Sequence, residues 1–206
     1  MNKVRIAVAV GSLRRESFNH QLALALPRLA LPTLEFKTLT IGDLPLYNQD
    51  DDANQAAAVK RLKEDILAAD GLQFVTPEYN RSIPGVLKNA IDHASRPCGQ
   101  SAWAGKPAGV IGVSVGTIGT ALAQQHLRNV LAYLDVSVLA QLEAFIQAKE
   151  GLFDADGGIG AANKGFLQKC MNAVAGFVQR HQNANANANA EANPTATAMA
   201  KGQTPS

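Results

Sequence analysis

The chain has 206 residues, 47% of them hydrophobic and only 5% aromatic, which suits a single globular core and requires no second one. Its formal charge is +2 with an isoelectric point near 8.6, and its Lys and Arg residues are scattered, so composition gives no sign of a nucleic-acid surface or an anionic-membrane patch. The first apolar run ends at Gly11, too early for a signal-peptide core or a bilayer span; with Cys98 and Cys170 in neither a CxxC pair nor a ligand spacing, the expectation is a cytoplasmic protein with free thiols and no membrane insertion.

In chain order, Val4 to Val10 predicts a buried strand, and Phe18 to Leu29 carries apolar residues at helical spacing, with Pro27 set to kink or end the helix. Leu34 to Leu39 alternates as a second strand. A loop over Ile41 to Tyr47, marked by Gly42 and Pro45, leads to a helix over Gln55 to Ala69. A third strand over Gly71 to Val75 precedes a helix from Val86 to about Ser95, and a fourth over Pro107 to Val115 precedes a helix from Thr120 to Leu134. Val136 to Ala140 reads as a short fifth strand. After the loop at Gly151 to Gly158, the spacing of Phe166, Leu167, Cys170, Val174 and Phe177 predicts a last helix from Ala161 to about Arg180. Five strands alternating with helices specify an α/β fold: a doubly wound five-stranded parallel sheet with helices on both faces, within one domain over residues 1–181. From Gln182 onward the Asn-Ala repeats and the Pro, Thr, Gly and Ser that follow hold almost no large apolar side chain, so residues 182–206 are expected to form a disordered low-complexity tail.

In such a sheet the loops after the first, third and fourth strands emerge on one carboxyl edge, where open α/β sheets hold ligands. The first, Gly11 to Asn19, offers two hydroxyls, two guanidinium groups and an amide before a helix N-terminus, a candidate phosphate cradle. Ser17 reads equally well as a helix cap with solvated arginines around it. No Gly-Lys-Ser/Thr follows Gly11 and the three-glycine dinucleotide fingerprint is missing, which disfavours ATP and Rossmann-type NAD binding. The second loop, Pro77-Glu78-Tyr79-Asn80-Arg81-Ser82-Ile83-Pro84-Gly85, sets two prolines, a glycine, an aromatic and an amide at a strand's carboxyl end.

Together, Gly11-Ser12-Leu13-Arg14 with Ser17-Phe18-Asn19, then Pro77-Glu78-Tyr79-Asn80 with Ser82-Ile83-Pro84-Gly85 and Leu87-Lys88-Asn89-Ala90-Ile91-Asp92, resemble the NADPH-dependent FMN reductases of flavodoxin-like fold, within them the bacterial quinone and chromate reductases. The resemblance spans roughly Val4 to Arg180. It implies that Ser12, Arg14, Ser17 and Asn19, with the backbone N–H of Phe18, bind the FMN phosphate, and that Pro77, Glu78, Tyr79, Asn80 and Ile83 flank the flavin ring, the flavin itself carrying the chemistry. It further implies NADPH or NADH as donor, a small-molecule acceptor such as a quinone, free flavin, azo compound or chromate, two half-reactions, and a homodimer or homotetramer in which Arg128 could meet Glu143 across subunits. Arg81 departs from the aromatic often found at that place in the similar reductases. Ser114, Gly116 and Thr117 are expected to form a third flavin-side loop, where small residues permit close backbone approach.

Two other function classes compete. Gly112-Val113-Ser114-Val115-Gly116 matches the G-x-S-x-G elbow of a serine hydrolase, which would need Asp135 or Asp154 and His181 beside Ser114. A non-enzymatic FMN electron carrier on the same fold is the other; such carriers are often strongly acidic, whereas this chain is slightly basic. His20, His93, His126 and His181 share no ligand spacing, and Asp154-Ala155-Asp156 lacks the later oxygen ligands of a calcium loop, so no metal is expected.

Overall fold

The computed structural model describes residues 3–192. Six parallel strands form one sheet in the order β2-β1-β3-β4-β5, with β6 also paired to β4: β1 is Val4–Val10, β2 Leu34–Thr38, β3 Gly71–Val75, β4 Pro107–Ser114, β5 Ser137–Val138 and β6 Ala144–Gln147. Five helices cover it: α1 Phe18–Ala25, α2 Ala57–Leu67, α3 Gly85–Ala94, α4 Ala121–Tyr133 and α5 Ala161–Ala192.

Side-chain alternation along the strands divides the interior in two. Ile6, Val8 and Val10 of β1 and Ile111 and Val113 of β4 face α1 and α5, packing on Leu22, Leu26, Leu167, Met171 and Val178. Ala7 and Ala9 of β1, Leu72 and Phe74 of β3 and Val110 of β4 face the opposite layer, formed by Leu62 and Ile66 of α2, Leu87 and Ile91 of α3, Leu127 and Leu131 of α4, and Trp103. Since α1 lies on one face while α2 and α3 lie on the other, the chain leaves the neighbouring ends of β1 and β3 in opposite directions. That divergence opens the crevice in which doubly wound sheets bind ligands.

Two expectations need correction. The fifth strand is split. β5 pairs only with Pro107 and Ala108, and after a short excursion β6 takes up the same outer edge beside Ile111 to Ser114. As expected of Pro27, the helix beginning at Phe18 gives way at Leu26 to a 3-10 turn through Leu29, since proline lacks the N–H that would continue it. The last helix runs to Ala192 instead of ending near Arg180. Extending an existing helix needs no new nucleus, and every second residue of that stretch is Ala, the best helix former. Residues 182–192 of the expected tail are therefore helical, and the rest of that segment lies outside the described residues. No helix among the described residues is long and apolar enough to cross a membrane, and none of their His, Cys, Asp and Glu side chains gather to hold a metal ion.

Candidate active site

Each of the three carboxyl-edge loops is fastened to the others by contacts that the local sequence does not reveal. In the first loop, the Ser17 hydroxyl caps α1 by accepting the N–H groups of Asn19 (3.2 Å) and His20 (3.4 Å), so the N–H of Phe18, first in the helix, is left outside the cap. The Nε2–H of His20 donates to the Ser12 carbonyl (2.6 Å), and the Ser12 hydroxyl accepts the Arg14 N–H (3.4 Å). Ser12 and Ser17 are buried, whereas Arg14 is exposed, its guanidinium donating to the Glu16 carbonyl and lying 5.7 Å from the centre of the Phe18 ring.

Asn19 has a different duty from the phosphate contact that the resemblance implies. Its side-chain amide donates to the Val113 carbonyl (2.8 Å) and accepts the Val113 N–H (3.0 Å), continuing the hydrogen bonding of β4 and locking α1 to that strand's end. With both amide groups engaged at a buried position, Asn19 acts by positioning the loop.

The second loop folds back on itself between Tyr79 and Ser82, each donating its N–H to the other's carbonyl at 3.0 Å. Asn80 (φ 51°) and Arg81 (φ 66°) both have left-handed backbone, giving the I′ type of two-residue turn. The Glu78 carboxylate reaches α4: Oε2 accepts the N–H groups of Leu122 (3.0 Å) and Ala123 (3.1 Å). Those groups open α4, whose own cap residue, Thr120, makes no side-chain cap bond. A negative charge at a helix N-terminus is placed where the backbone dipole is positive. Pro77 is buried, Ile83 half-buried, and Tyr79 and Asn80 exposed. His126 of α4 adds a link at 3.0 Å to the Ser82 hydroxyl.

The third loop hangs on β6. Ala148 N–H donates to the Ser114 carbonyl (2.7 Å), and Gln147 Nε2 donates to the Val115 carbonyl (3.1 Å). Gln124 donates both to Thr120 Oγ1 and to the Ala144 carbonyl, each at 2.9 Å. Gly119, at φ 64°, lets the loop pass against the backbone of Phe145, an approach that any side chain would block. Gly116 and Thr117 remain exposed. Among the large apolar side chains left exposed are Leu13 of the first loop, Tyr79 of the second, and Val115 and Ile118 of the third. The edge therefore combines uncapped N–H and hydroxyl donors at one end with apolar surface contributed by all three loops.

This geometry overturns the hydrolase alternative. Ser114 donates its hydroxyl to the Gly119 carbonyl within its own loop. His181 lines a cleft with Lys106 and Pro107 at the start of β4, while Ser114 closes that strand, roughly 20 Å away at about 3.3 Å per residue. No proton passes directly between side chains so far apart. The Arg128 guanidinium donates to the Leu139 carbonyl of the same chain (2.8 Å). Burial holds its pKa below the ordinary value, and the charge of Glu143 pulls in the opposite direction. The parts that sequence reasoning missed are His20, Gln124, His126 and β6. The alternation of buried Ala144 and Ile146 with the more exposed Phe145 and Gln147 was the available signal for β6.

A family model described as NADPH-dependent FMN reductase matches residues 4–151. A 2-hydroxy-1,4-benzoquinone reductase of a Burkholderia species is 53% identical over 177 residues, covering 85% of this chain and 97% of the relative. A quinone reductase of Pseudomonas putida is 47% identical over 175 residues, covering 84% and 94%. Among solved structures, a flavoenzyme NAD(P)H:(acceptor) oxidoreductase of Paracoccus denitrificans superposes with a TM-score of 0.83 at 46% identity, covering 86% of this chain and 98% of that one.

Proposed function

The chain belongs to the NADPH-dependent FMN reductase family and is an FMN-dependent NAD(P)H oxidoreductase, and from that premise we propose that its acceptor is a quinone, reduced by two half-reactions at one site on the carboxyl edge. The observation that carries the reading is the mutual fastening of three loops around a surface with phosphate donors at one end and apolar side chains along it. The donor set suits FMN: the hydroxyls of Ser12 and Ser17, the N–H of Phe18 and the guanidinium of Arg14 stand at the N-terminus of α1, where the helix dipole favours a phosphate. Pro77, Tyr79, Asn80 and Ile83 would border the ring, with Ser114, Gly116 and Thr117 opposite. Glu78 and Asn19 would hold those borders in place through α4 and Val113. When bound, FMN supplies the redox chemistry, taking electrons from the nicotinamide and delivering them to the acceptor.

The residues of the chain do the rest. The cap on α1 and the Asn19 clasp hold the first loop in the form that would receive the phosphate end, and the Tyr79–Ser82 turn would border the ring. Backbone N–H groups of the second loop outside the Tyr79–Ser82 pair would favour the negative charge that accompanies reduction. The exposed Tyr79, Val115 and Ile118 present apolar surface to a planar donor or acceptor, and the site's openness lets one leave before the other enters. Initial rates with NADPH and 2-methyl-1,4-benzoquinone both varied should give parallel double-reciprocal lines. Intersecting lines would remove the two-half-reaction reading, and FMN binding with no turnover at all would favour the electron carrier. We also propose a homodimer or homotetramer, which sedimentation equilibrium tests directly; a monomer at micromolar concentration would end that reading.

A further inference from the structure

We propose that Arg81 makes this enzyme selective for acceptors that carry a negative charge, specifically the ionised form of hydroxyquinones, an inference that rests on the quinone reading above. The first ground is backbone strain. Arg81 occupies the second central position of the Tyr79–Ser82 turn at φ 66°, a conformation in which Gly, Asn or Asp is the ordinary occupant and a long side chain is disfavoured. Asn80 obeys that preference; Arg81 does not. Strained residues that persist beside a ligand-binding edge are candidates for function.

The second ground is charge. The Arg81 guanidinium is 65% exposed, and its recorded ion pair is with Glu78 Oε1 at 3.5 Å. The other oxygen of that carboxylate already accepts two N–H groups of α4, so the positive end of the helix offsets part of the charge that would otherwise neutralise Arg81. Of the other charged groups on these loops, Arg14 is folded onto Phe18 and the Glu16 carbonyl, Arg15 and Glu16 are exposed on the first loop, and Ser114 to Thr120 contains no charged residue. Arg81 is thus the cation carried on the turn formed by the expected ring-lining residues Tyr79 and Asn80.

The third ground is the chemistry of the acceptor. A 2-hydroxyquinone is a vinylogous carboxylic acid, ionised near neutrality, whose delocalised negative charge is attracted by a neighbouring cationic side chain. Overall, the hydroxyquinone anion, NAD(P)H and two protons give the trihydroxybenzene and NAD(P)⁺: the nicotinamide loses a hydride equivalent, both ring carbonyls become hydroxyls, and the enolate is reprotonated from solvent.

The test compares 2-hydroxy-1,4-benzoquinone with its O-methyl ether, 2-methoxy-1,4-benzoquinone, which cannot ionise, using FMN-reconstituted wild type, Arg81→Asn and Arg81→Lys. The readout is the ratio of kcat/KM for the two acceptors. Asn relieves the backbone strain and removes the charge; Lys keeps both. The ratio should fall roughly three- to tenfold in Arg81→Asn, mostly through KM, stay within about twofold in Arg81→Lys, and decline in wild type as salt is added. An unchanged ratio in Arg81→Asn overturns the role of Arg81 while leaving the quinone reading intact. Failure of wild type to reduce either quinone, with free FMN still reduced, overturns the quinone reading and this inference with it.

Discussion

Glu78 shows how one side chain can tie a loop to a helix far along the chain. Its carboxylate is nearly enclosed, 10% exposed, and joins the second loop to the first turn of α4, where a missing acceptor would leave Leu122 and Ala123 N–H groups without a protein partner. Replacing it with Ala should cost about 1–2 kcal/mol, the usual worth of a helix cap with a favourable dipole, and lower the melting temperature by roughly 3–6 °C at this chain size. Calorimetry on the flavin-free protein checks this; a drop below about 1 °C would mean that the cap is energetically idle. The Asp43–Arg61 pair, two hydrogen bonds at 2.9 Å between the segment before α2 and α2 itself, makes a pH-dependent counterpart. The Arg61 hydrogen bonds hold the Asp43 carboxyl below its ordinary pKa of 3.8, so the folded state binds that proton less readily than the unfolded chain does. The stabilisation is complete above pH 3.8 and disappears as the pH falls through the lower folded-state value. Melting curves of wild type and Asp43→Asn should therefore stay apart at neutral pH and converge below about pH 3.8; curves that stay equally separated there would assign the difference to something other than Asp43 ionisation.

Among the elements, β4 does the most to assemble the site, because its carboxyl end touches all three loops. Gly112 is the tightest point: an added Cβ would overlap the Thr76 carbonyl oxygen and the Thr120 hydroxyl, one at the head of the second loop and the other at the entrance to α4. Gly112→Ala should destabilise by about 3 kcal/mol or more, since the obstacle is backbone and cannot rotate aside. Gly116→Ala meets only the Ser114 hydroxyl, at 3.8 Å, and should leave stability unchanged. Urea titrations of the two variants give the comparison, and equal losses would contradict the packing described for β4. The split between β5 and β6 belongs to this scale as well. The excursion between them frees β6 to reach along the upper half of β4, from which Gln147 and Ala148 hold the third loop.

For the molecule as a whole, the site proposed on the carboxyl edge would couple the folded state to cofactor binding. FMN at roughly a hundred times its dissociation constant should add about 2.7 kcal/mol to folding stability and raise the melting temperature by roughly 5–10 °C. Ser17→Ala should reduce that increment by weakening the phosphate end. A melting temperature indifferent to FMN would remove the carboxyl edge as the flavin site. The opposite edge, where His181, Lys106 and Asp70 meet, should be insensitive to FMN in the same experiment.

Much of this was legible in the sequence because it depends on local periodicity. The strands Val4–Val10 and Gly71–Val75 have the limits that their apolar runs indicate, and the α/β alternation fixes a parallel sheet by the rules of crossover connections. Ser17 could be recognised as a cap from its place before Phe18. What only the tertiary structure decided are the contacts between residues far apart in the chain: Asn19 with Val113, Glu78 with the start of α4, Gln124 with Ala144. Each is a polar side chain satisfying backbone groups of another element. No single stretch of sequence encodes such a pairing, because the chain must first close the sheet before the partner is within reach. Side-chain identity announced the donors of the candidate site; the closing of the sheet decided which of them are engaged with other elements and which remain on the carboxyl edge.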